Sequence, residues 1–388
     1  MISDRPVPPA DSGAVAYAAP RRRDRLRIAH ICESGEPGGA ERMILQLAEE
    51  QRRRGHDVLP LGPDNADPWL RRELQRAGFE PETFPVRRAA DPVCLATIVR
   101  LLRRHRIDVV HSHAFFAAVY GGAAAWLLRK PHVITMHGSR YYLHRRHRRL
   151  ALRWSARRSR AVVGVSAASA AELVAGVGLP PSAVQVVYNG VPRSAGDRER
   201  GRRALGVSAE EMLVVAIGSL FPVKGHSVLV RALAQLGNAG GAPAWRAAIA
   251  GIGGEERALR ALIDATGLND RIALLGFRDD VPDLLAAADV YAMPSLYEGS
   301  PLALMEAMFA GKAIVASAVG GIPELVTDGC EAVLTPPGDV TALAGVLQSL
   351  LNDPERRMRM GAAAQRRAES TFTLERMTDD YERLYAGM

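Results

Sequence analysis

Short apolar runs rich in Val, Ile and Ala alternate with helical patterns from residue 26 to the end of the chain. Strands buried on both faces read as continuous apolar runs, so this alternation marks parallel sheets covered by helices. In the first half the pattern predicts strands at Leu26–Ile31, Asp57–Leu61, Glu82–Val86, Val109–His111, Val133–Met136, Ala161–Val165 and Gln185–Val187. Helices are predicted near Ala40–Arg54, Pro68–Ala77, Pro92–Arg106, Phe115–Leu128, Arg145–Arg158 and Ala168–Ala175. The turn Asn189-Gly190-Val191-Pro192 and the polar run Arg193–Arg203 then read as a linker. A second series has strands at Met212–Ile217, Ala247–Ala250, Ile272–Leu274, Val290–Met293, Ala313–Val315 and Ala332–Leu334. Its helices fall near Ser227–Leu236, Glu255–Ala265, Leu302–Ala310, Thr341–Leu351 and Pro354–Ser370, and an amphipathic helix, Thr373–Tyr385, follows. The expected division is a disordered lead-in (1–24), a first α/β domain (25–192), a second (193–370) and a last helix (371–388) packing back toward the first. Two doubly wound domains facing each other place a ligand cleft between the carboxyl ends of their sheets.

The 388 residues suffice for two cores of ordinary size. With 48% hydrophobic and 24% charged residues, the chain has the composition of a soluble globular protein. Cys32, Cys94 and Cys330 form neither a metal-ligand spacing nor a disulfide framework, which fits a reducing, cytoplasmic compartment. The segment through Pro20 has no continuous apolar stretch and does not read as a secretory leader. The longest uncharged run, Ala114–Leu128, is interrupted by Gly121 and Gly122 and is short for a membrane span, so a buried helix is expected. Charge is uneven: 31 Lys and Arg face 17 Asp and Glu through Ala195, whereas 19 face 25 after it. A basic first half and an acidic second half suit different partners.

The most informative stretch is VYAMPSLYEGSPLALMEAMFAG, residues 290–311. A strand runs through Pro294 into a loop that opens a helix, with Glu298 just before the helix and Glu306 eight positions later. At 3.6 residues per turn the second acid lies about 12 Å beyond the first. Gly299, Ser300 and Leu302 can offer backbone N–H groups at a positive helix terminus, a seat for a diphosphate. This string resembles the E-x7-E motif of retaining, nucleotide-sugar-dependent glycosyltransferases, notably glycosyltransferase family 4. The likeness extends from Leu26 to Tyr385. It implies the GT-B fold, two facing Rossmann-like domains, with the nucleotide mainly on the second and the acceptor mainly on the first.

Further segments fit the resemblance. Glu36-Pro37-Gly38-Gly39-Ala40-Glu41-Arg42 looks like the family's Gly-Gly-Ala-Glu loop, in which Gly38 and Gly39 let backbone approach a phosphate or sugar. It lacks the G-x-G-x-x-G spacing of a dinucleotide site. His137-Gly138 follows an apolar strand, where a side chain points into a cleft; in the family a matching histidine contacts the transferred sugar. His111, His113 and Tyr141 are weaker candidates for the acceptor. Gly218 to Gly225 follows the first strand of the second half, and its Lys224 is expected to neutralise the leaving diphosphate. Many members carry Arg where this chain has Ser219, which removes one cation from the expected pair; Arg278 or Arg42 is a candidate to replace it. Gly253, in Gly251-Ile252-Gly253-Gly254, resembles a loop used near the nucleotide, and the backbone of Phe277 and Arg278 is expected at the base. Glu306 would take two ribose hydroxyls and Glu298 would lie beneath the sugar. Gly320–Glu324 reads as a structural loop.

No aspartate pair has D-x-D spacing, so metal independence is expected. No cofactor beyond the UDP- or GDP-linked sugar is implied. Arg145, Arg146, Arg149, Arg153, Arg157 and Arg160 include a helical stripe beside Leu150 and Trp154. The stripe is a surface for an anionic membrane on its inner face or for a polyanionic acceptor, or else a solvated basic face. No nucleic-acid motif accompanies it. The expected activity is hexosyl transfer to a lipid-linked or glycan acceptor in cell-surface polysaccharide synthesis. The alternatives are a nucleotide-sugar epimerase and a silent nucleotide-sugar binding module.

Overall fold

Seven parallel strands make the first sheet: β1 (Arg27–Ile31), β2 (Asp57–Pro63), β3 (Glu82–Phe84), β4 (Val109–His113), β5 (His132–Met136), β6 (Ala161–Gly164) and β7 (Val184–Val186). Their order is β3-β2-β1-β4-β5-β6-β7, with Ile28 in register with Val58 on one side and Val109 on the other. The computed structural model describes residues 25–87, 90–138, 144–239 and 242–386. The expected lead-in, 1–24, and Tyr141 lie outside the described residues. Helices α1 (Gly39–Arg53), α2 (Trp69–Arg76), α3 (Pro92–Arg104), α4 (Ala114–Leu128), α5 (Arg146–Ala156) and α6 (Ala167–Leu173) connect these strands.

The second sheet holds β8 (Met212–Ile217), β9 (Trp245–Ala250), β10 (Ile272–Leu274), β11 (Val290–Met293), β12 (Ala313–Ser317) and β13 (Val333–Thr335), in the order β10-β9-β8-β11-β12-β13. Around it lie α7 (Arg198–Leu205), α8 (His226–Ala239), α9 (Glu256–Ala265), α10 (Val281–Ala287), α11 (Leu302–Phe309), α12 (Ile322–Leu325), α13 (Val340–Asn352) and α14 (Pro354–Thr371). Both sheets are doubly wound and both reverse direction, between β1 and β4 and between β8 and β11. Ligands of such sheets bind outside the carboxyl ends at those switch points.

Local chemistry sets the boundaries. Asp91 caps α3 by accepting from the Val93 and Cys94 amides, with Pro92 at the first helical position. Asp339 and Asp353 cap α13 and α14 in the same way. The uncharged run expected as a buried helix is α4, packed so closely that a Cβ on Gly121 would sit 2.1 Å from Ser112 Oγ. No helix among the described residues is long and apolar enough to cross a membrane.

The last helix, α15 (Leu374–Ala386), leaves the second sheet and lies against α1. Arg54 at the end of α1 pairs with Asp379 and with Glu382 (3.1 Å), and Arg160 donates to the Leu384 carbonyl. Buried Tyr381 and Tyr385 join Ile28 and Leu47 of the first lobe and Tyr291 and Met305 of the second in one apolar cluster. A burial of that kind is worth about 1.5–3 kcal/mol per large apolar side chain.

Two stretches depart from the sequence reading. Arg193–Arg203, expected as a linker, contains most of α7, capped by Asp197. Its arginines hide the apolar period because they fold onto acids of the neighbouring elements, Arg200 on Asp283 and Arg202 on Asp289. Val281–Ala287, to which the sequence reading assigns no element, is α10, a short two-turn helix with Pro282 in its first turn.

Candidate active site

The motif-bearing loops meet at the carboxyl ends of both sheets around a cavity of about 280 Å³. The first lobe contributes Gly38, Gly39 and Arg42 from the loop into α1, His137 after β5, and Asn189. The second contributes Gly218, Ser219 and Lys224 after β8, Gly251 and Ile252 after β9, Phe277 and Arg278 after β10, and Glu298 to Ala303 with Glu306 after β11. Gly253 departs from expectation. It packs on the Leu220 backbone, where an added Cβ would sit 2.4 Å from that carbonyl oxygen, while Gly251 and Ile252 face the cavity.

Lys224 and Glu298 form the charged centre. The ammonium donates to both carboxylate oxygens, at 2.7 and 2.9 Å, and Ser295 Oγ donates to Glu298 Oε1 at 2.8 Å. Glu298 is 6% exposed, so the carboxylate is held by these bonds rather than by water. An ammonium has three N–H donors; two are engaged by Glu298 and the third remains for an incoming anion.

Helices α1 and α11 both begin at the cavity, without a side-chain cap at either N-terminus. Their first-turn N–H groups and aligned dipoles favour negative charge there. Two polar atoms beside them are buried and unpartnered: Ser300 Oγ and Asn189 Oδ1. Asn189 Nδ2 is occupied, donating to the Ser300 carbonyl at 2.8 Å, and so ties the two lobes together. An unsatisfied buried polar atom costs about 1–3 kcal/mol, and a ligand supplying its partner recovers that.

The lobes touch where the site is narrowest. Gly138 has φ of +89°, and a Cβ on it would lie 3.1 Å from Gly299 Cα; one on Gly299 would lie 3.0 Å from the His137 carbonyl oxygen. Across the same seam, Glu324 accepts from the Ala167 and Ala168 amides at the start of α6 and from Tyr188. The loop expected to be structural is therefore a clamp between lobes.

Toward the other end, Glu306 is half-buried, and burial raises its carboxyl above the usual range, opposed by Arg42. Arg42 stands 5.9 Å from the centre of the Phe277 ring, which meets Trp69 edge-on at 6.3 Å. Arg278 is forked onto Asp280. Of the two arginines considered as replacements for a cation at Ser219, Arg278 is thus committed to a carboxylate, and Arg42 reaches the cavity from the opposite lobe.

His137 lines the cavity, and burial pulls its imidazole down to about 4, so it is neutral at neutral pH. His111 and His113, expected near an acceptor, are instead sealed in the interior at 0% and 1% exposure. They lie on β4, a strand covered on both faces, and contact His30, Tyr381 and Tyr385. Among the described residues, His30, His111 and His113 are the one group with nitrogens close enough to hold a metal ion. Each ring nitrogen of the three has a hydrogen-bond partner, so the cluster is a polar network of the core.

Residues 37–195 match the family described as "Glycosyltransferase Family 4" and residues 197–367 that described as "Glycosyl transferases group 1". The chain is 30% identical over 375 residues to the 2-deoxystreptamine N-acetyl-D-glucosaminyltransferase of Streptomyces fradiae, covering 86% of this chain and 89% of that one. This chain belongs to the family 4, group 1 glycosyltransferases. The D-inositol 3-phosphate glycosyltransferase of Mycobacterium sp. (strain KMS) is 28% identical, over 85% and 81% of the two chains. Anabaena Alr3699/HepE in complex with UDP-glucose superposes on the glycosyltransferase with a TM-score of 0.82 at 28% identity, covering 94% of this chain and 100% of that one. These neighbours identify the twin-sheet architecture as GT-B.

Asn189 and Ser295 of this glycosyltransferase carry no functional signal in the sequence. Asn189 sits in a turn where Asn is expected for backbone reasons alone. Ser295 stands three residues before Glu298, a spacing with no meaning until the loop curls back on itself.

Proposed function

We propose that this glycosyltransferase moves a hexose from a UDP-linked donor to an acceptor hydroxyl with retention of anomeric configuration and without a metal ion. The observation that carries the reading is the Lys224–Glu298 pair at the mouth of α11. The donor diphosphate would sit against the N-termini of α1 and α11 and the free N–H of Lys224, with Glu306 toward the ribose. As the anomeric C–O bond breaks, its electron pair leaves with UDP, and the ammonium and helix termini balance the growing charge. Glu298 lies on the sugar side and supports positive charge at the anomeric carbon. The acceptor oxygen adds on the face the diphosphate leaves, and its proton passes to the departing phosphate oxygen. UDP and UDP-glucose are bound by the HepE neighbour, which supports the uridine donor.

The acceptor would lie in the neighbouring first-lobe groove, lined by Asp67, Phe115, Phe116, His147 and Arg148. A lipid-linked or glycan acceptor is favoured by the outer face of α4 and α5. There Trp126, Leu127 and Leu150 are half or more exposed, and Trp154 meets Trp126 at 6.1 Å amid exposed Arg145, Arg146, Arg149 and Arg157. That apolar and basic patch suits an anionic membrane surface. A small hydroxylated acceptor is the second reading, favoured by the named acceptors of the two relatives.

UDP release from a panel of UDP-sugars, with lysate lipids and small polyols as acceptors and with EDTA present, tests the proposal. Chelator-resistant transfer that falls at least about a hundredfold in Lys224→Ala supports it. Equal rates for wild type, Lys224→Ala and Glu298→Ala overturn the site. Donor consumed to a new nucleotide sugar without UDP release points to epimerisation, and tight donor binding without turnover to a silent module.

A further inference from the structure

A file of hydrogen bonds links the cavity histidine to the last helix. His137 Nε2 lies 3.2 Å from His113 Nδ1, and His113 Nε2 lies 2.9 Å from His30 Nδ1. His30 Nε2 lies 2.8 Å from Gln51 Oε1 on α1. The same amide donates through Nε2 to Tyr385 OH on α15 at 3.2 Å. Tyr385 OH contacts His111 Nδ1 at 2.7 Å, and His111 Nε2 contacts Thr135 Oγ1 at 2.8 Å. Thr135 Oγ1 donates to Tyr381 OH at 3.1 Å.

With the Gln51 amide oxygen toward His30 and its nitrogen toward Tyr385, one proton arrangement fits this order. An amide oxygen accepts, so His30 carries its proton on Nε2 and accepts at Nδ1. His113 must then donate from Nε2 and accept at Nδ1, and His137 must donate from Nε2. Beyond the amide, Gln51 donates to Tyr385, whose hydroxyl donates to His111 Nδ1, so His111 also keeps its proton on Nε2. Every bond points the same way, from the cavity toward Tyr381. Burial lowers His30 and His137 to about 4 and His111 and His113 well below their ordinary value, so each ring has one N–H and one lone pair at neutral pH.

We propose that Gln51 and Tyr385, at the junction of α1 and α15, are positioning residues that fix His137 as its Nε2–H tautomer. Nδ1 is then the ring's acceptor, on a side chain that lines the cavity. Resting on the proposed function, this makes His137 take a hydrogen bond from a hydroxyl of the transferred sugar. It also sets a lone pair against a sugar carrying a carboxylate there, so a neutral hexose is selected over a hexuronic acid. The docking of α15 is by this means felt in the cleft.

Full-length protein labelled with 15N in its histidine rings gives the tautomers directly, without substrate. His137 is assigned by its loss in His137→Asn. Wild type is expected to show Nε2–H at His30, His111, His113 and His137. Gln51→Leu, which leaves an apolar side chain and removes both amide hydrogen bonds, is expected to show both tautomers at His137. It is also expected to narrow the preference for UDP-hexose over UDP-hexuronic acid by roughly tenfold, the worth of one hydrogen bond. An Nδ1–H signal at His137 in wild type overturns the proposal, and the wild-type spectrum suffices even where Gln51→Leu fails to fold. An unchanged His137 signal in folded Gln51→Leu overturns it as well. Loss of the tautomer with no change in sugar preference overturns His137's part in sugar recognition. No transfer by wild type at all counts against the proposed function and leaves the tautomer result standing.

Discussion

Lys224 is bound to Glu298 in the free protein, so its removal costs both stability and catalysis, and one pair of variants can separate the two losses. Lys224→Ala leaves a carboxylate that is 6% exposed with Ser295 as its donor. Breaking a buried ion pair from one side costs about 3–5 kcal/mol. The Lys224 side chain is itself 28% exposed, so water screens part of the charge, and about 2–3 kcal/mol is the expected loss. Adding Glu298→Gln removes the stranded charge while keeping an oxygen for Ser295, and should return stability to within about 1 kcal/mol of wild type. Catalysis should not follow. A missing stabiliser of developing charge costs roughly a hundredfold to a thousandfold in kcat, and the glutamine restores no cation. Urea unfolding monitored by tryptophan fluorescence gives the first quantity and UDP release the second. Wild-type stability in Lys224→Ala would show that the pair does not form. Turnover regained in the double variant would mean that Lys224 serves only to neutralise Glu298, and its assignment to the leaving group would fall.

Ser300→Ala removes a buried hydroxyl without a partner, so folding should be unchanged or up to about 1 kcal/mol better, while titration calorimetry shows UDP-sugar affinity about five- to tenfold weaker; unchanged affinity refutes a ligand contact at Ser300. Gly299→Ala places a methyl group 3.0 Å from the His137 carbonyl oxygen and forces the two loops apart. Transfer should drop more than UDP binding, since UDP leaves the sugar side of the site empty; equal losses in both would show that the contact is not confined to the sugar side. The buried histidines predict acid lability. His30 falls from 6.5 unfolded to about 4 folded, so the native state binds fewer protons, and its contribution is complete above about pH 6.5 and lost as pH drops through 4. At 1.36 kcal/mol per unit this is at most about 3 kcal/mol for one ring, and a flat melting temperature between pH 7 and 4.5 would refute it. Glu306 runs the other way: its raised carboxyl keeps a proton in the fold, so stability declines as pH rises above the usual carboxylate value. Glu306→Gln should therefore melt higher at neutral pH and bind UDP more weakly.

The strands were legible because parallel sheets bury both faces and leave continuous apolar runs, as in β8 and β11, whose ends match the reading residue for residue. What escaped was built from charges. Helix α7 is held by Arg200 and Arg202 reaching acids more than eighty residues downstream, and a period made of arginines looks like a linker until those acids are in place. The crossing of α15 onto α1 has the same character. Its amphipathic stripe announces a docking face, and polar contacts such as the Arg54 pairs, the Arg160–Leu384 bond and the Gln51–Tyr385 bond specify which surface receives it.

At the site, the residues legible in advance are those whose chemistry is fixed by their own loop: Lys224 after β8, and Glu298 and Glu306 across the start of α11. The histidines of β4 were misplaced for a physical reason. A strand end in a doubly wound sheet opens on the cleft only if nothing covers it, and here α15 covers His111 while His113 turns inward to His30. A period-two pair of histidines looks the same on a cleft wall and in a core. Their burial gives the motif its meaning, because charged imidazoles could not remain there, whereas neutral ones with matched donors and acceptors can. The pair His111 and His113 thus lies in the interior rather than on the cleft wall. It carries hydrogen bonds between the last helix and the one histidine that reaches the cavity.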